Sequence, residues 1–206
     1  MISKIELVIF DLDGVLINSK NNMRFAWNAV LKKFRLNINF NEYFKYIGIP
    51  FEDILTKFRV NVKYHKIIKE TFSKASLNNI GQIKLYPNVI KTINLLKENK
   101  IKLAIVTSKD KIRSKRIIKR LKINITQIYS PEKKLRGKPY PDQLIKTLTI
   151  NDIKAKNAIY IGDTKFDFIA AKRAGIKFIF ANYGYGKNTP LYKYKINKVK
   201  DILNLI

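Results

Sequence analysis

Short apolar runs alternate with helix-patterned segments along most of the chain. The apolar runs are rich in branched side chains, as strands buried on both faces are, and they lie at 5–11, 102–108, 125–130, 157–163 and 177–182. The intervening segments carry apolar residues at helical spacing, and they lie at 87–100, 110–122, 141–149 and 166–175. This alternation predicts an α/β fold, with a Rossmann-like parallel sheet and helices on both of its faces.

One long segment, residues 17–84, interrupts the alternation because it contains no convincing strand. Its stretches NNMRFAWNAVLKKF, FEDILTKF and VKYHKIIKETF all suit helices. We therefore predict an inserted α-helical cap domain over 17–84, and a core domain built from residues 1–16 and 85–206.

Three residues of the insertion and the tail of the chain have simpler interpretations. We expect Phe25 and Trp27 to lie in the apolar core of the insertion. The single histidine, His65, has no partner motif, so we assign it a surface or packing role. The polar, basic stretch 187–200 predicts a surface loop with an edge strand, and DILNLI at 201–206 predicts a short closing helix.

Polar side chains follow three of the predicted strands, at the edge where active sites of parallel α/β folds lie. These residues are Asp11, Thr107 and Asp163. Asp13 is two residues beyond Asp11, and alternate side chains of an extended strand point the same way. Asp167 lies four residues beyond Asp163, where the next helix begins. Carboxylates this close repel one another without a cation or a proton. Since Mg²⁺ prefers carboxylates, water and substrate phosphate, the sequence predicts a Mg²⁺ site.

The composition excludes several kinds of site and location. There is no cysteine among the 206 residues, which excludes disulfides, thiolate metal sites and a cysteine nucleophile. The first apolar run contains Glu6 and stops at Asp11, too early for a secretory signal. No apolar stretch approaches the ~18 residues of a membrane span. We therefore expect a cytoplasmic protein with no membrane partner.

The charge of the chain has two interpretations. The formal net charge is +27, from 42 Lys and Arg against 15 Asp and Glu, which is typical of proteins that bind nucleic acid or anionic surfaces. The lysines are scattered, however, and the densest patch, residues 109–122, spaces its apolar residues as a helix does. That spacing leaves the basic residues on the solvent face. We favour compositional bias as the cause of the charge and do not expect nucleic acid as a partner.

Four motifs resemble those of the haloacid dehalogenase-like superfamily, in the same order and at similar spacing. They are DLDGVL at 11–16, TSK at 107–109, RGKPYPD at 136–142 and GDTKFD at 162–167. The helical insertion and the K-P-Y-P sequence resemble the phosphoglycolate phosphatase and β-phosphoglucomutase branch, which has a small helical cap. The resemblance implies a Mg²⁺-dependent phosphatase. Its substrate would be a small phosphorylated metabolite of the phosphoglycolate or sugar phosphate type, hydrolysed through an aspartyl-phosphate.

The resemblance also implies roles for the four aspartates. Asp11 would be the nucleophile that attacks phosphorus, and Asp13 the general acid and then the general base. Asp163 would bind Mg²⁺ together with Asp11 and the backbone carbonyl of Asp13. Asp167 would support the metal from nearby.

Three further residues would bind the phosphate. Thr107 would donate its hydroxyl to a phosphoryl oxygen, and we include Ser108 beside it. Lys138 would neutralise phosphate charge and restrain Asp11. A phosphate dianion repels a carboxylate nucleophile, so the reaction requires cationic groups of this kind.

Two other functions remain open. A β-phosphoglucomutase-like phosphosugar mutase would use the same aspartyl-phosphate, and a basic nucleic-acid-binding protein would keep the scaffold without catalysis. A dehalogenase is disfavoured because that branch lacks the second aspartate, Asp13. The segment YIGIPFED at 46–53 is a candidate substrate-facing loop of the cap, and Asn18 stands where the branch often has aspartate. We expect a monomer or a homodimer.

Overall fold

A mostly parallel sheet flanked by helices forms the larger part of the molecule. The computed structural model describes residues 4–132 and 134–206, so residues 1–3 of the predicted core segment lie outside the described residues. The strands are β1 (Leu7–Phe10), β2 (Ile17–Asn18), β3 (Lys84–Leu85), β4 (Lys102–Val106), β5 (Gln127–Tyr129), β6 (Ala158–Gly162), β7 (Lys177–Ala181) and β8 (Lys195–Ile196). The main sheet has the order β5-β4-β1-β6-β7-β8, and each neighbouring pair is parallel.

Eight α-helices accompany these strands in the described residues. They are α1 (Lys20–Phe34), α2 (Phe40–Phe44), α3 (Phe51–Lys57), α4 (His65–Asn78), α5 (Val89–Glu98), α6 (Lys111–Arg120), α7 (Asp142–Asn151) and α8 (Lys165–Arg173). Short 3₁₀ helices lie at Val62–Tyr64, Ile80–Gln82, Ala155–Asn157 and Val199–Asn204. The predicted α/β fold with a Rossmann-like sheet and a helical cap is confirmed.

Strand β1 lies at the centre of the sheet, between β4 and β6. All four of its residues are buried, because helices cover both faces of a parallel sheet. Val8 and Phe10 pack into one hydrophobic cluster, and Leu7 and Ile9 pack into the cluster on the opposite face. Every residue of β1 is thus fixed by packing, which positions the chain that follows it.

The inserted helices α1 to α4 have a hydrophobic core of their own. Trp27 is fully buried there, stacks on Tyr43 with ring centroids 4.4 Å apart, and donates Nε1–H to the Ile38 carbonyl at 2.9 Å. His65 is buried and its Nε2 lies 2.9 Å from the Val60 carbonyl oxygen. This contact fits a packing role for the histidine.

The expectation that Phe25 belongs to the core of the insertion is wrong. Its side chain is 50% exposed. The buried face of α1 carries Met23, Ala26, Trp27 and Val30, which follow helical spacing. Phe25 projects away from that face because it lies two positions from both Met23 and Trp27.

The insertion joins the core through a short two-stranded ribbon that the sequence pattern did not reveal. Ile17 of β2 pairs with Leu85 of β3, and Asn18 pairs with Lys84, in antiparallel register. Strands of two residues are too short to show period-two alternation. The exact domain boundaries at 16/17 and 84/85 remain predictions.

No helix in the described residues is both long enough and apolar enough to cross a membrane. The longest, α1, has 15 residues and carries several charged side chains.

We predict that Trp27→Ala lowers the free energy of unfolding by about 3–5 kcal/mol. The reason is that the substitution removes a fully buried ring and its hydrogen bond from the cap core. The measurement is urea denaturation followed by circular dichroism.

Phe25→Ala is the matched control on the same helix, and its exposure limits the expected change to about 0.5 kcal/mol. Equal destabilisation by the two variants would contradict this packing of α1.

Candidate active site

Buried carboxylates converge at the carboxyl edge of the sheet. Asp11 follows β1 directly, and its backbone N–H donates to the Ile161 carbonyl of β6 at 2.8 Å. Asp163 follows β6, and Asp167 lies in the first turn of α8. Each of Asp11, Asp163 and Asp167 places a carboxylate oxygen within 4.8 Å of the others, and all three are buried. The parallel strands therefore bring together residues that are more than 150 positions apart.

Lys138 is the cation inside this cluster. It precedes α7, is 1% exposed, and its Nζ lies 2.9 Å from Asp11 Oδ1 and 2.6 Å from Asp167 Oδ1. Burial lowers the pKa of Lys138, but the two carboxylates outweigh it and raise the pKa above its ordinary value. The ammonium therefore stays charged and holds Asp11 and Asp167 together.

Asp167 has a structural role that satisfies both of its oxygens. Oδ1 accepts from Lys138 and from the Tyr160 hydroxyl at 2.7 Å. Oδ2 accepts from the backbone N–H of Thr164 at 2.9 Å and from its hydroxyl at 2.6 Å, which completes a capping box at the start of α8. Asp167 is thus a rigid support that orients Lys138.

Asp163 differs because one of its oxygens has no partner. Oδ2 accepts from the backbone N–H of Tyr185 at 2.6 Å, but buried Oδ1 has no hydrogen-bond partner within the described part of the chain. Two glycine loops close around the carboxylate. A Cβ at Gly14 (φ +87°) would lie 2.1 Å from Asp163 Oδ2, and one at Gly184 would lie 2.3 Å from Asp163 Cβ. Only glycine permits this approach.

Burial and mutual repulsion raise the pKa values of two carboxylates in the cluster. Burial raises the pKa of Asp11 to about 7, aided by Asp167 and Asp13 and opposed by Lys138. Burial also raises the pKa of Asp163, with added repulsion from Asp167 and Asp11. A divalent cation would offset this repulsion, and Mg²⁺ takes oxygen ligands of this kind. The unpartnered Asp163 Oδ1 and the carboxylate of Asp11 fit such an ion.

Asp13 stands apart from the three clustered carboxylates and faces the insertion. Its Oδ1 accepts from the Ser19 hydroxyl, and its Oδ2 lies 3.2 Å from Nζ of Lys109. Burial lowers the pKa of Lys109, while the Asp13 carboxylate opposes that change. Asp11 and Asp13 nevertheless line the same cavity. Asp13 is held beside the other carboxylates without joining them.

The two predicted phosphate-binding hydroxyls lie side by side but differ in their contacts. Thr107 is buried just after β4, and its Oγ1 accepts from the backbone N–H of Lys109 at 3.2 Å. Ser108 donates its hydroxyl to the Gly48 carbonyl at 2.6 Å, a contact between the sheet edge and the cap loop. The phosphate roles of both residues stay predictions.

A small cavity of about 40 Å³ connects these groups to the cap. Its lining comprises Asp11, Asp13, Met23, Tyr43, Ile47, Gly48, Ile49, Phe51, Ile54, Phe72, Thr107, Ser108, Lys109, Arg113, Lys138 and Thr164. The core supplies nearly all the charged groups, and the cap supplies mostly apolar side chains. Ile47, Gly48, Ile49 and Phe51 belong to the segment 46–53, which was the expected substrate-facing loop.

Sequence reasoning missed two cavity residues, Lys109 and Arg113. The helical spacing of 109–122 predicted basic residues on the solvent face, which is wrong for these two. Lys109 is 7% exposed and Arg113 is 4% exposed. Arg113 pairs with Asp110 and lies over the Phe72 ring at 5.0 Å, so charge pairing and stacking make its burial tolerable. For Lys109, the signal that could have indicated a place in the cavity was its position two residues after Thr107.

Comparison with known proteins gives a consistent family. A family model described as haloacid dehalogenase-like hydrolase matches residues 8–181. The chain is 32% identical to a phosphoglycolate phosphatase of Aquifex aeolicus, over 97% of this chain and 96% of that protein. It is 25% identical to phosphoglycolate phosphatase 1 of Pseudomonas aeruginosa, over 96% of this chain and 78% of that protein.

Two solved structures share the fold. A hydrolase from Pseudomonas syringae superposes with a TM-score of 0.87 at 22% identity, over 97% of this chain and 96% of that one. CbbY from Rhodobacter sphaeroides, solved in complex with phosphate, superposes with a TM-score of 0.84 at 18% identity, over 96% of each chain. These likenesses extend over both the sheet and the inserted helices.

We predict that Mg²⁺ raises the melting temperature of the protein near pH 8 by about 5 °C or more at saturation. The raised pKa values of Asp11 and Asp163 mean that the folded state holds protons more tightly than the unfolded chain. The metal-free protein therefore loses stability as pH rises from about 4 to about 7 and beyond, and a cation restores it. Thermal denaturation with and without Mg²⁺ measures both effects.

Asp163→Asn should reduce the Mg²⁺ effect to about 1–2 °C and flatten the pH dependence of the metal-free protein. Asp152→Asn is the control, since it removes an equal charge from an exposed position. An equal response to Mg²⁺ in the wild type and Asp163→Asn would exclude a cation at this cluster.

Proposed function

The chain belongs to the haloacid dehalogenase-like hydrolases and is a phosphatase, and we propose that it hydrolyses a small phosphorylated metabolite by a Mg²⁺-dependent aspartyl-phosphate mechanism. One observation carries the proposal. Lys138 joins Asp11 to Asp167 inside a buried group of carboxylates, and this group opens onto a cavity under the cap. Such a site combines a fixed nucleophile with the charge compensation that phosphoryl transfer needs.

In the first step, Asp11 attacks the substrate phosphorus. An O–P bond to the Asp11 carboxylate forms while the ester O–P bond breaks, and Asp13 gives its proton to the leaving oxygen. Lys138 restrains Asp11 through Oδ1 at 2.9 Å. Ser19 and Lys109 hold Asp13 on the cavity side, where the leaving group would lie.

In the second step, Asp13 accepts a proton from a water molecule that attacks the phosphorus of the aspartyl-phosphate. The O–P bond to Asp11 breaks, phosphate leaves and the carboxylate of Asp11 is restored. Thr107 would donate its hydroxyl to a phosphoryl oxygen through both steps. Asp13 thus alternates between acid and base, and its contacts with Ser19 and Lys109 hold it on the cavity wall.

Mg²⁺ would be held by Asp11, by Asp163 through its unpartnered oxygen and by the backbone carbonyl of Asp13, with Asp167 as a support. When bound, it offsets the negative charge of the phosphoryl oxygens and of the carboxylates. Lys138 supplies the remaining positive charge at Asp11.

The lining of the cavity supports a short substrate. Apart from the single Tyr43 hydroxyl, the cap side consists mainly of Met23, Ile47, Ile49, Phe51, Ile54 and Phe72, whose side chains offer no hydrogen bonds to the several hydroxyls of a sugar. A phosphosugar mutase must bind and reorient a polar sugar, and polar groups buried without partners are costly. The names of the relatives, phosphoglycolate phosphatases, point to a substrate of that kind.

The nucleic-acid alternative has less support. The basic residues that motivated it are scattered along the sequence, and the carboxylates and Lys138 that carry the proposal open onto a cavity of about 40 Å³, which is too small for a polymer. A function in binding alone would leave the buried carboxylates and Lys138 without a purpose.

We predict that the protein with Mg²⁺ releases phosphate from a panel of small phosphate monoesters, and that Asp11→Asn lowers kcat by about 10³-fold or more. The reason is that the amide oxygen of asparagine is a poor nucleophile. The measurement is colorimetric phosphate release, with chelation and re-addition of Mg²⁺ in parallel.

Asp152→Asn again serves as the control, and melting curves confirm that both variants fold. Phosphate release that persists after chelation and in Asp11→Asn would refute the mechanism. Salt-sensitive binding of nucleic acid without any turnover would favour the binding protein instead.

A further inference from the structure

Arg113 is a buried cation for which the proposed mechanism has no use. It lies on α6, which begins at Lys111 with Asp110 as its N-cap. Its side chain is 5% exposed and lines the cavity together with Asp11 and Asp13. Burial of a guanidinium is costly unless an anion or an aromatic face compensates. Asp110 and Phe72 supply that compensation, so the open question is why the guanidinium lies on the wall of this cavity.

The contacts of Arg113 hold the guanidinium but leave one edge of it available. Nε donates to Asp110 Oδ2, and the plane lies over the Phe72 ring of α4 at 5.0 Å. The two terminal nitrogens donate no hydrogen bond to any residue in 4–132 or 134–206. Asp110 and Phe72 thus fix the orientation of a planar fork whose outer nitrogens are free. A fork of this geometry matches a carboxylate in bidentate fashion.

The neighbouring Tyr43 offers a second donor at the same wall. It is 2% exposed and lines the cavity, and its hydroxyl has no hydrogen-bond partner within the described residues. Burial raises the pKa of Tyr43, with Asp13 adding to the rise and Arg113 opposing it. The phenol therefore stays protonated and able to donate. The effects of Asp13 and Arg113 on the pKa of Tyr43 indicate that both charges lie near its hydroxyl.

The other ionic groups of the cavity are already engaged. Lys138 is paired with Asp11 and Asp167, and Lys109 is paired with Asp13. The cap side of the wall is otherwise apolar. Among the described lining residues, Arg113 is the cation paired with none of the proposed catalytic carboxylates, since its partner is Asp110, and both of its terminal nitrogens are free to donate to a ligand.

We propose that Arg113, assisted by the Tyr43 hydroxyl, forms a carboxylate subsite that selects phosphate monoesters carrying a carboxylate close to the ester carbon. This inference rests on the proposed phosphatase function and adds the residue that sets its specificity. The phosphate end of the substrate lies at Asp11 and Lys138, and the carboxylate end reaches the free edge of the guanidinium. The small volume of the cavity, about 40 Å³, favours a short spacer between the two groups.

The alternative position for an anion is outside the cavity. Arg113 also borders an outer groove of about 650 Å³ between α4 and α6, which includes Lys66, Lys111 and Arg116. Those three side chains are exposed, whereas Arg113 is buried, and the groove also carries Glu70 and Asp110. Arg116 lines only the groove, so it provides a matched test of the two positions.

The experiment compares two substrates of the same length, 2-phosphoglycolate and 2-hydroxyethyl phosphate; in the second, a neutral hydroxymethyl group replaces the carboxylate. We expect the wild type to prefer the carboxylate substrate by about 100-fold in kcat/KM. Arg113→Gln should lose that preference through a higher KM for 2-phosphoglycolate, since it removes binding rather than chemistry. The readout is the ratio of the two kcat/KM values, so a general loss of activity that affects both substrates alike leaves the ratio unchanged.

The companion variants separate charge from structure. Arg113→Lys should recover part of the preference because it keeps the charge and loses the fork. Arg116→Gln, one turn along α6 with the same loss of charge, should behave as the wild type. A loss of preference in Arg116→Gln as large as that in Arg113→Gln would overturn the assignment in favour of the outer groove.

The outcomes also distinguish this inference from the proposed function. If the wild type releases phosphate from both substrates without any preference, the carboxylate subsite is refuted while the phosphatase function stands. This outcome is measured on the wild type alone, so it does not depend on the folding of a variant. Equal preference in the wild type and a folded Arg113→Gln would overturn it as well. Absence of phosphate release from every monoester would instead refute the proposed function.

Discussion

The structure depends on how three buried carboxylates and one ammonium share a few ångströms of protein interior. Asp11, Asp163 and Asp167 repel one another, and Lys138 compensates only part of their charge. The raised pKa values of Asp11 and Asp163 record the remainder. Asp167 gives both oxygens to fixed donors, so it cannot relax. The uncompensated charge therefore falls on Asp11 and Asp163, the two residues best placed to hold a cation.

Tyr185 and Ser19 connect the aspartates of the site to the cap. Tyr185 donates its backbone N–H to Asp163, and its hydroxyl accepts from the Ser19 backbone at 2.7 Å. Ser19 in turn donates its hydroxyl to Asp13. The Tyr185 ring packs on Phe44 of α2 with centroids 5.2 Å apart. A movement of the cap would therefore displace groups that hydrogen-bond to Asp13 and Asp163. Closure of the cap over a substrate would exclude water from the site.

The sequence predicted most of what periodicity and adjacency can encode. The strand–helix alternation predicted the parallel sheet, because buried strands have continuous apolar runs and β1 is buried on both faces. Strand ends predicted the meeting of Asp11 with Asp163, since parallel strands share one carboxyl edge. The expected phosphate roles of Thr107 and Ser108, the cytoplasmic location and the oligomeric state remain predictions.

The sequence pattern could not reveal the contacts between the cap and the core. Arg113 looked like one more solvent-facing basic residue, and only its long-range contact with the Phe72 ring of the cap distinguishes it. Phe25 looked like a core aromatic, although the helix turns it outward. The separation of Asp13 from the cluster depends on Ser19 and Lys109. These contacts are long-range or depend on side-chain orientation, which local patterns do not specify.

The most direct test of the central claim is an anomalous difference map from crystals grown with Mn²⁺ in place of Mg²⁺ and soaked with orthovanadate as a phosphoryl mimic. The account predicts one manganese peak at about 2.1 Å from carboxylate oxygens of both Asp11 and Asp163, with vanadium beside the Asp11 carboxylate. A manganese peak elsewhere, or vanadate bound with Asp11 and Asp163 turned apart, would contradict it.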